Sequence, residues 1–248
     1  MNMDHKTFWD IRSEHYDKLY WTKDSDYISA IVAMADPDPQ QLVLDVGSGT
    51  GIMARAIQPH VQHVVAVDLS DGMLRKGEWS GFSVVRWDIS ESLFTNALFD
   101  RVIARMVFHH VLEGFDRALV RCFDLLKPGG KIVIAEGIPP SSEPDVVDWY
   151  TEMFRYKEER RTITKDFLDG SLTDNGFIAV ESRIHVNPSF SVKNWLENSG
   201  LDPEMQRKVM ALHIEAPAKI KELYDMRITA DDCVIRTYNL IVRAERPR

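Results

Sequence analysis

LVLDVGSGTG, residues 42–51, is an apolar run that ends in an acid and then in glycines at alternate positions. The β-branched valines at 43 and 46 and the following glycines at 47, 49 and 51 predict a buried parallel strand that breaks into a tight turn. Such a strand delivers a ligand to its carboxyl end. Glycine lets the backbone approach that ligand closely. The helix predicted from Ile52 presents unpaired N–H groups at its start.

A glycine-rich turn after a first strand serves NAD, FAD, phosphate and adenosyl ligands alike. Two details narrow the choice. The spacing is G-x-G-x-G, and Ile52 stands where the dinucleotide fingerprint requires glycine or alanine. Asp45 also places a carboxylate two residues before the first glycine, where it would repel a pyrophosphate but accept from a ligand's ammonium group.

On these residues the stretch resembles motif I of class I S-adenosylmethionine-dependent methyltransferases. The landmarks that follow, over roughly residues 40–137, resemble the small-molecule branch that includes the ubiquinone and menaquinone biosynthesis enzymes. The resemblance implies an α/β fold: a Rossmann-like seven-stranded sheet, mostly parallel with an antiparallel last strand, helices on both faces and a helical cap. It implies S-adenosyl-L-methionine as cofactor and a small-molecule acceptor. One domain is expected over residues 1–248, with N-terminal lid helices at 4–35 and cap insertions at about 139–163 and 187–232.

Composition fits that class. The 248 residues are 44% hydrophobic and 27% charged, an ordinary globular balance long enough for one elaborated α/β domain. A net charge of −8 argues against a broad nucleic-acid footprint. Cys122 and Cys233, the only cysteines, cannot build a disulfide framework, and no run approaches the length of a membrane span. A cytoplasmic protein is expected.

Along the chain, Phe8, Trp9, Ile11, His15, Tyr16, Leu19, Tyr20 and Trp21 keep an approximate helical spacing over 4–21. Packing against the domain explains most of them. In the resemblance this segment folds over the cofactor, with Tyr16 approaching it and Tyr20 and Trp21 left for the acceptor pocket. Asp68 ends the second strand 23 residues after Asp45, about one crossover later, where an acid accepts both ribose hydroxyls. As the cap of the next helix it would compete with Ser70 and Asp71. Leu69 and Met73 fall on the expected adenine wall, although Met73 also suits plain core packing. A third strand over 82–89 ends in Asp88 and Ile89, the acid and following backbone N–H that the resemblance assigns to adenine. With Gly47, Ser48 and Gly49 in the loop and the backbone carbonyl of Arg105 after the fourth strand, these complete the expected cofactor contacts.

His109 and His110 follow within a turn of Arg105, where the transferring methyl is expected to project. Neutral imidazole suits proton removal from a phenol, enol or ammonium acceptor. Adjacent helical residues point about 100° apart, so only one of the two is expected to face the methyl. Glu136 at the end of the fifth strand is placed to orient the acceptor or to pair with Arg105. No paired acids follow the fourth strand, and no metal is expected.

Trp149, Tyr150, Met153 and Phe154 form a stripe that suits either core or a lid on an apolar acceptor. KEERR, 157–161, is most simply a solvated helix end; Arg155, Arg160 and Arg161 are alternatives as partners of an acidic acceptor. About 45 residues separate the last two predicted strands, with helices at Val192–Asn198, Pro203–His213 and Ala216–Tyr224. His213, Tyr224 and Arg227 there suit an acceptor site or a homodimer contact. Two rival functions remain: a non-catalytic adenosylmethionine-binding or interaction protein, and an NAD-dependent oxidoreductase, which the missing third glycine and Asp45 disfavour.

Overall fold

β1 (Leu42–Val46) pairs in parallel with β2 (His63–Asp68) on one side and β4 (Phe99–Arg105) on the other. This is the point where strand order reverses, and it opens a crevice at the carboxyl ends of the strands. The computed structural model describes residues 5–89, 91 and 93–248, with side chains from Thr7 onward. Residue 4, the expected start of the lid helices, lies outside them.

The sheet continues from β2 to β3 (Ser83–Arg86), and from β4 through β5 (Leu126–Ile138) and β8 (Cys233–Glu245) to β6 (Ile178–Ser191). β8 runs antiparallel to both of its neighbours, and a two-residue strand, β7 (Arg227–Ile228), pairs with it as an eighth member. The seven-stranded path is therefore as expected, with β7 added by the insertion.

Strand alternation builds one core on each face. Val43, Ile103, Val133 and Ala135 pack with α2 (Ser25–Ala35) and α3 (Ile52–Ile57). Leu44, Val102, Ile132 and Ile134 pack with α5 (Phe115–Leu125) and α7 (Lys165–Asp174). A third cluster joins α6 (Pro144–Arg155), α8 (Val192–Glu197), α9 (Pro203–Ile214) and α10 (Ala218–Leu223) to Leu19 and the start of β8. It stands over the carboxyl edge of the sheet. Among the described residues no helix is long and apolar enough to cross a membrane.

Three stretches depart from their periodicity. The N-terminal helix, α1 (His5–Arg12), stops nine residues short of Trp21, and 3₁₀ turns at Tyr16–Lys18 and Tyr20–Lys23 follow. Tertiary contacts decide here: Trp9 and Trp21 stand edge-on to Tyr16, and the Arg105 guanidinium lies over Trp21. Residues 127–130 stay within β5 as an irregularity, the pairing with β4 jumping from Phe99↔Leu126 to Arg101↔Lys131. The chain passes directly from α5 into β5, because Ala97 and Leu98 donate to the last helical carbonyls, Asp124 and Leu125. β3 ends at Arg86, three residues before the expected Ile89.

Candidate active site

The turn after β1 is bent by glycine. Gly47 has φ +63°, and a Cβ there would lie 2.3 Å from Cγ2 of Val107, so this backbone tolerates no side chain. Ser48 N–H donates to Val67, which ties the loop to β2. Asp45 is 1% exposed and its Oδ2 has no hydrogen-bond partner, nor has the buried Oγ of Ser48. Burial pushes the Asp45 carboxyl up to about 7, against a backbone hydrogen bond from Ala54 that lowers it and a nearby Asp68 that raises it. Buried acceptors left open in this way are costly unless something donates to them.

Asp68 accepts from the backbone N–H groups of Gly49 and Ser70, one on each oxygen, at 2.8 Å. It is not a helix cap. Ser70 caps α4 (Asp71–Lys76), its Oγ accepting from Met73 N. A carboxylate offers about four acceptor sites, so these bonds do not exhaust Asp68. Trp87 N donates to the Asp68 carbonyl, which holds the half-buried Asp88 at the same edge of the sheet. Leu69 is half-buried beside Asp68, while Met73 and Ile89 are buried in the structure. Asp10 of α1 accepts from Ser70 Oγ and Gly72 N, and Thr50 Oγ1 donates to Asp17, so the N-terminal segment is fastened across the loop.

On the other side of Tyr16 lies a cavity that opens to solvent. Trp21, Tyr27, Tyr150, Phe154 and Trp195 give it aromatic walls, and Met106, His109 and His110 form the wall next to the crevice. Met106 takes a left-handed φ of 59° at the end of β4, which turns the chain across the sheet edge. The histidines then lie on a 3₁₀ turn, Phe108–His110, rather than on an α-helix. Their rings touch, with centroids 3.9 Å apart, and both line the cavity.

Glu136 is fully buried at the end of β5 and pairs with neither Arg105 nor solvent. Its Oε1 accepts from the N–H groups of Val107 and Phe108, and its Oε2 lies 2.5 Å from His109 Nδ1. Burial pushes the Glu136 carboxyl up to about 7, with Arg160 and the backbone N–H groups opposing. Burial also holds the His109 imidazolium form well below the ordinary range, and nearby Arg160 adds to this. Two backbone N–H groups and the nearby Arg160 favour the charged form of Glu136, so it is assigned as the carboxylate of the pair and His109 as neutral. Its proton then sits on Nδ1, which leaves the lone pair of Nε2 on the ring that lines the cavity.

A charged cluster adjoins this pair. Glu158 Oε2 receives Arg12 Nη1 at 2.6 Å and Lys157 Nζ at 2.5 Å, and Arg160 Nη1 stands 3.7 Å from Oε1. None of these side chains is more than 7% exposed, so Lys157, Glu158 and Arg160 of KEERR are not solvated, although Glu159 is exposed. Burial, then Arg12, brings Lys157 down to about 7. His109, His110 and Glu158 together have the spacing of a metal site. Three cations beside it and a His109 Nδ1 already engaged make it a poor one.

Of the other sequence candidates, Trp21, Tyr150, Met153, Phe154, Arg160, His213 and Tyr224 line the cavity. Tyr20 is exposed, Arg155 pairs with Glu152 at the surface, Arg161 bonds Leu112 O, and Arg227 bonds Pro188 O. His213 donates through Nδ1 to Val209 O, and burial keeps it neutral, down to about 4, with Nε2 unpartnered. The Arg105 guanidinium sits among Trp21, Tyr27 and the carbonyl of Thr22. The sequence reading missed Arg12, Lys157 and Glu158.

Residues 44–134 match the family described as methyltransferase domain. An uncharacterised methyltransferase of Mycobacterium tuberculosis is 33% identical over 125 residues, 49% of this chain and 62% of that protein. A demethylmenaquinone methyltransferase of Thermobifida fusca is 33% identical over 124 residues, 47% of this chain and 50% of that protein. The chain thus matches about half to three-fifths of the length of these relatives. A solved phosphoethanolamine N-methyltransferase 2 of Haemonchus contortus, in complex with phosphomonomethylethanolamine and S-adenosylhomocysteine, superposes with a TM-score of 0.67 at 19% identity, over 100% of this chain and 61% of that one.

Proposed function

We propose that this chain, whose residues 44–134 match a methyltransferase domain, is a class I S-adenosylmethionine-dependent methyltransferase that methylates a small molecule held in the aromatic cavity. The observation that carries the reading is the juxtaposition of two half-built sites. On one side stand open, buried acceptors on a glycine loop, and on the other a cavity bordered by an oriented imidazole.

The crevice residues fit the cofactor. Asp45 Oδ2 and Ser48 Oγ are unpartnered acceptors, suited to the ammonium group of an amino acid. Asp68 has lone pairs for two ribose hydroxyls, Gly47 and Gly49 allow close approach, and Leu69, Met73, Asp88 and Ile89 follow as the adenine side. The Arg105 carbonyl and Tyr16 complete the set. When bound, S-adenosylmethionine supplies an electrophilic methyl group and a neutral thioether leaving group.

The protein's own tasks are alignment and water exclusion, worth roughly 7–11 kcal/mol in well-aligned intramolecular reactions. Trp9, Tyr16 and Trp21 close the cavity from the N-terminal side, and Tyr150, Phe154 and Trp195 close it from the cap. His109 Nε2 accepts the proton that the acceptor's O–H, N–H or enol loses, while Glu136 holds the Nδ1 proton and steadies the charge that forms. The quinone-methylating relative supports an acceptor with an aromatic or other apolar body. A non-catalytic binding protein would leave this dyad without a task.

The test is transfer of labelled methyl from S-adenosylmethionine into a cell metabolite extract. Label is expected in a low-mass product, identified by mass. Label confined to protein or nucleic acid, or none at all, would contradict the proposal.

A further inference from the structure

We propose that the cavity selects acceptors bearing a carboxylate, bound as a monoanion by Arg160 with Lys157 and Arg12, while the acceptor's apolar body rests against the aromatic walls. This deepens the methyl-transfer reading and rests on it for the word acceptor; the anion site itself stands on its own observations.

Arg160 carries the argument. Its side chain is 3% exposed and lines the cavity, its Nε and Nη2 have no hydrogen-bond partner, and among the described residues its ion-pair contact is Glu158 at 3.7 Å, with the buried Glu136 carboxylate close enough to feel its charge. The guanidinium lies 4.0 Å from the centroid of Phe154. Buried guanidinium donors are not left open without cost, and a planar fork is matched best by a planar carboxylate.

The local charge balance says the same. With Lys157 protonated and Glu136 ionised, Arg12, Lys157 and Arg160 carry three positive charges and Glu158 and Glu136 two negative ones, and both histidines are held neutral. Glu158 already serves two cations through one oxygen, Oε2. The excess is a single positive charge, which a carboxylate neutralises and a dianionic phosphate would overshoot. A divalent cation would enlarge it.

Lys157 makes binding pH-dependent. The groups facing it are Arg12 from α1, Glu158 and Arg160 on its own loop, the neutral His109 after β4, and the rings of Phe154 and Trp195. Its ammonium form is half lost at about 7 in the free protein, and a bound anion restores it. Binding is therefore strongest below that pH and weakens above it, with a proton taken up on binding.

The experiment compares 4-hydroxybenzoate with 4-hydroxybenzamide by tryptophan fluorescence and calorimetry, without cofactor. The acid is expected to bind about tenfold or more tighter than the amide. That preference should disappear in Arg160→Gln and survive in part in Arg160→Lys, and calorimetry in buffers of different ionisation heat should show proton uptake near pH 8. Equal affinities, no saturable binding of either probe at millimolar concentration, or a preference unchanged in Arg160→Gln would overturn the proposal. Tighter binding of phenyl phosphate would overturn the monoanion assignment. Should Arg160→Gln not fold, the wild-type acid–amide ratio and Arg160→Lys still decide. S-adenosylhomocysteine binding, measured separately, distinguishes failure of this site from failure of the methyl-transfer reading.

Discussion

Replacing His109 by alanine is expected to lower kcat by about 10²- to 10³-fold while leaving cofactor affinity unchanged, because the ring contributes only to proton removal. Glu136→Gln should lose nearly as much for a different reason. The glutamine oxygen can still accept from Val107 and Phe108, but its amide would donate to His109 Nδ1 and drive the ring proton onto Nε2, leaving no base toward the cavity. In the wild-type protein the rate should rise with pH through a value below the ordinary 6.5 of histidine, because burial disfavours the imidazolium, and then level off. Steady-state kinetics from pH 4.5 to about 8 would check all three. If both variants keep wild-type turnover, the base role is wrong although alignment alone still explains methyl transfer.

Glu158→Gln is expected to destabilise the fold by about 3 kcal/mol, the lower end for breaking a buried ion pair, since Lys157 can shed its proton and relieve part of the strain. In melting temperature this is roughly 6–12 °C. Lys157→Met should cost far less, because it removes a buried charge rather than stranding three. The pH dependence separates the two groups. Burial alone would raise the Glu158 carboxyl, but Lys157, Arg12, His110 and Arg160 hold it well below its ordinary value. Its stabilisation is therefore complete above the unfolded carboxylate pKa of about 4.3 and is lost as pH falls through the depressed folded value. Lys157, lowered from 10.5 to about 7, acts in the opposite sense. Its burial costs stability in full below about 7, and the cost fades as pH rises toward 10.5. Thermal melts across pH would show a Glu158→Gln deficit that shrinks in acid. A melting temperature equal to wild type would mean that the cluster is solvated.

What was legible in the residues was what repeats or bends the backbone. LVLDVGSGTG gave strand, turn and helix start because period and glycine act locally, and the acids at 45 and 68 fell at the ends of β1 and β2, with Asp88 two residues beyond β3, because a crossover has a nearly fixed length. The insertion helices were legible for the same reason: α8, α9 and α10 lie within two residues of their predicted bounds. The residues facing the cavity were harder. Glu136 and His109 are 27 positions apart and meet only because β4 and β5 are neighbours; the available signal was an acid inside an otherwise apolar strand. KEERR was misjudged because a charge run is usually solvated, and its partner Arg12 lies 146 positions from Glu158. A clue was present in Phe8 and Trp9, whose rings receive the Arg12 guanidinium and mark it as an inward-facing residue.

The central claim is that the loop after β1 and the end of β2 hold an adenosyl amino acid beside the acceptor cavity. Titration calorimetry with S-adenosylhomocysteine tests it most directly. Saturable binding at one site per chain is expected, weakened about tenfold to a hundredfold by Asp68→Ala through loss of charged hydrogen bonds, with no heat from NAD. No binding of S-adenosylhomocysteine, a preference for NAD, or an affinity indifferent to Asp68→Ala would contradict it.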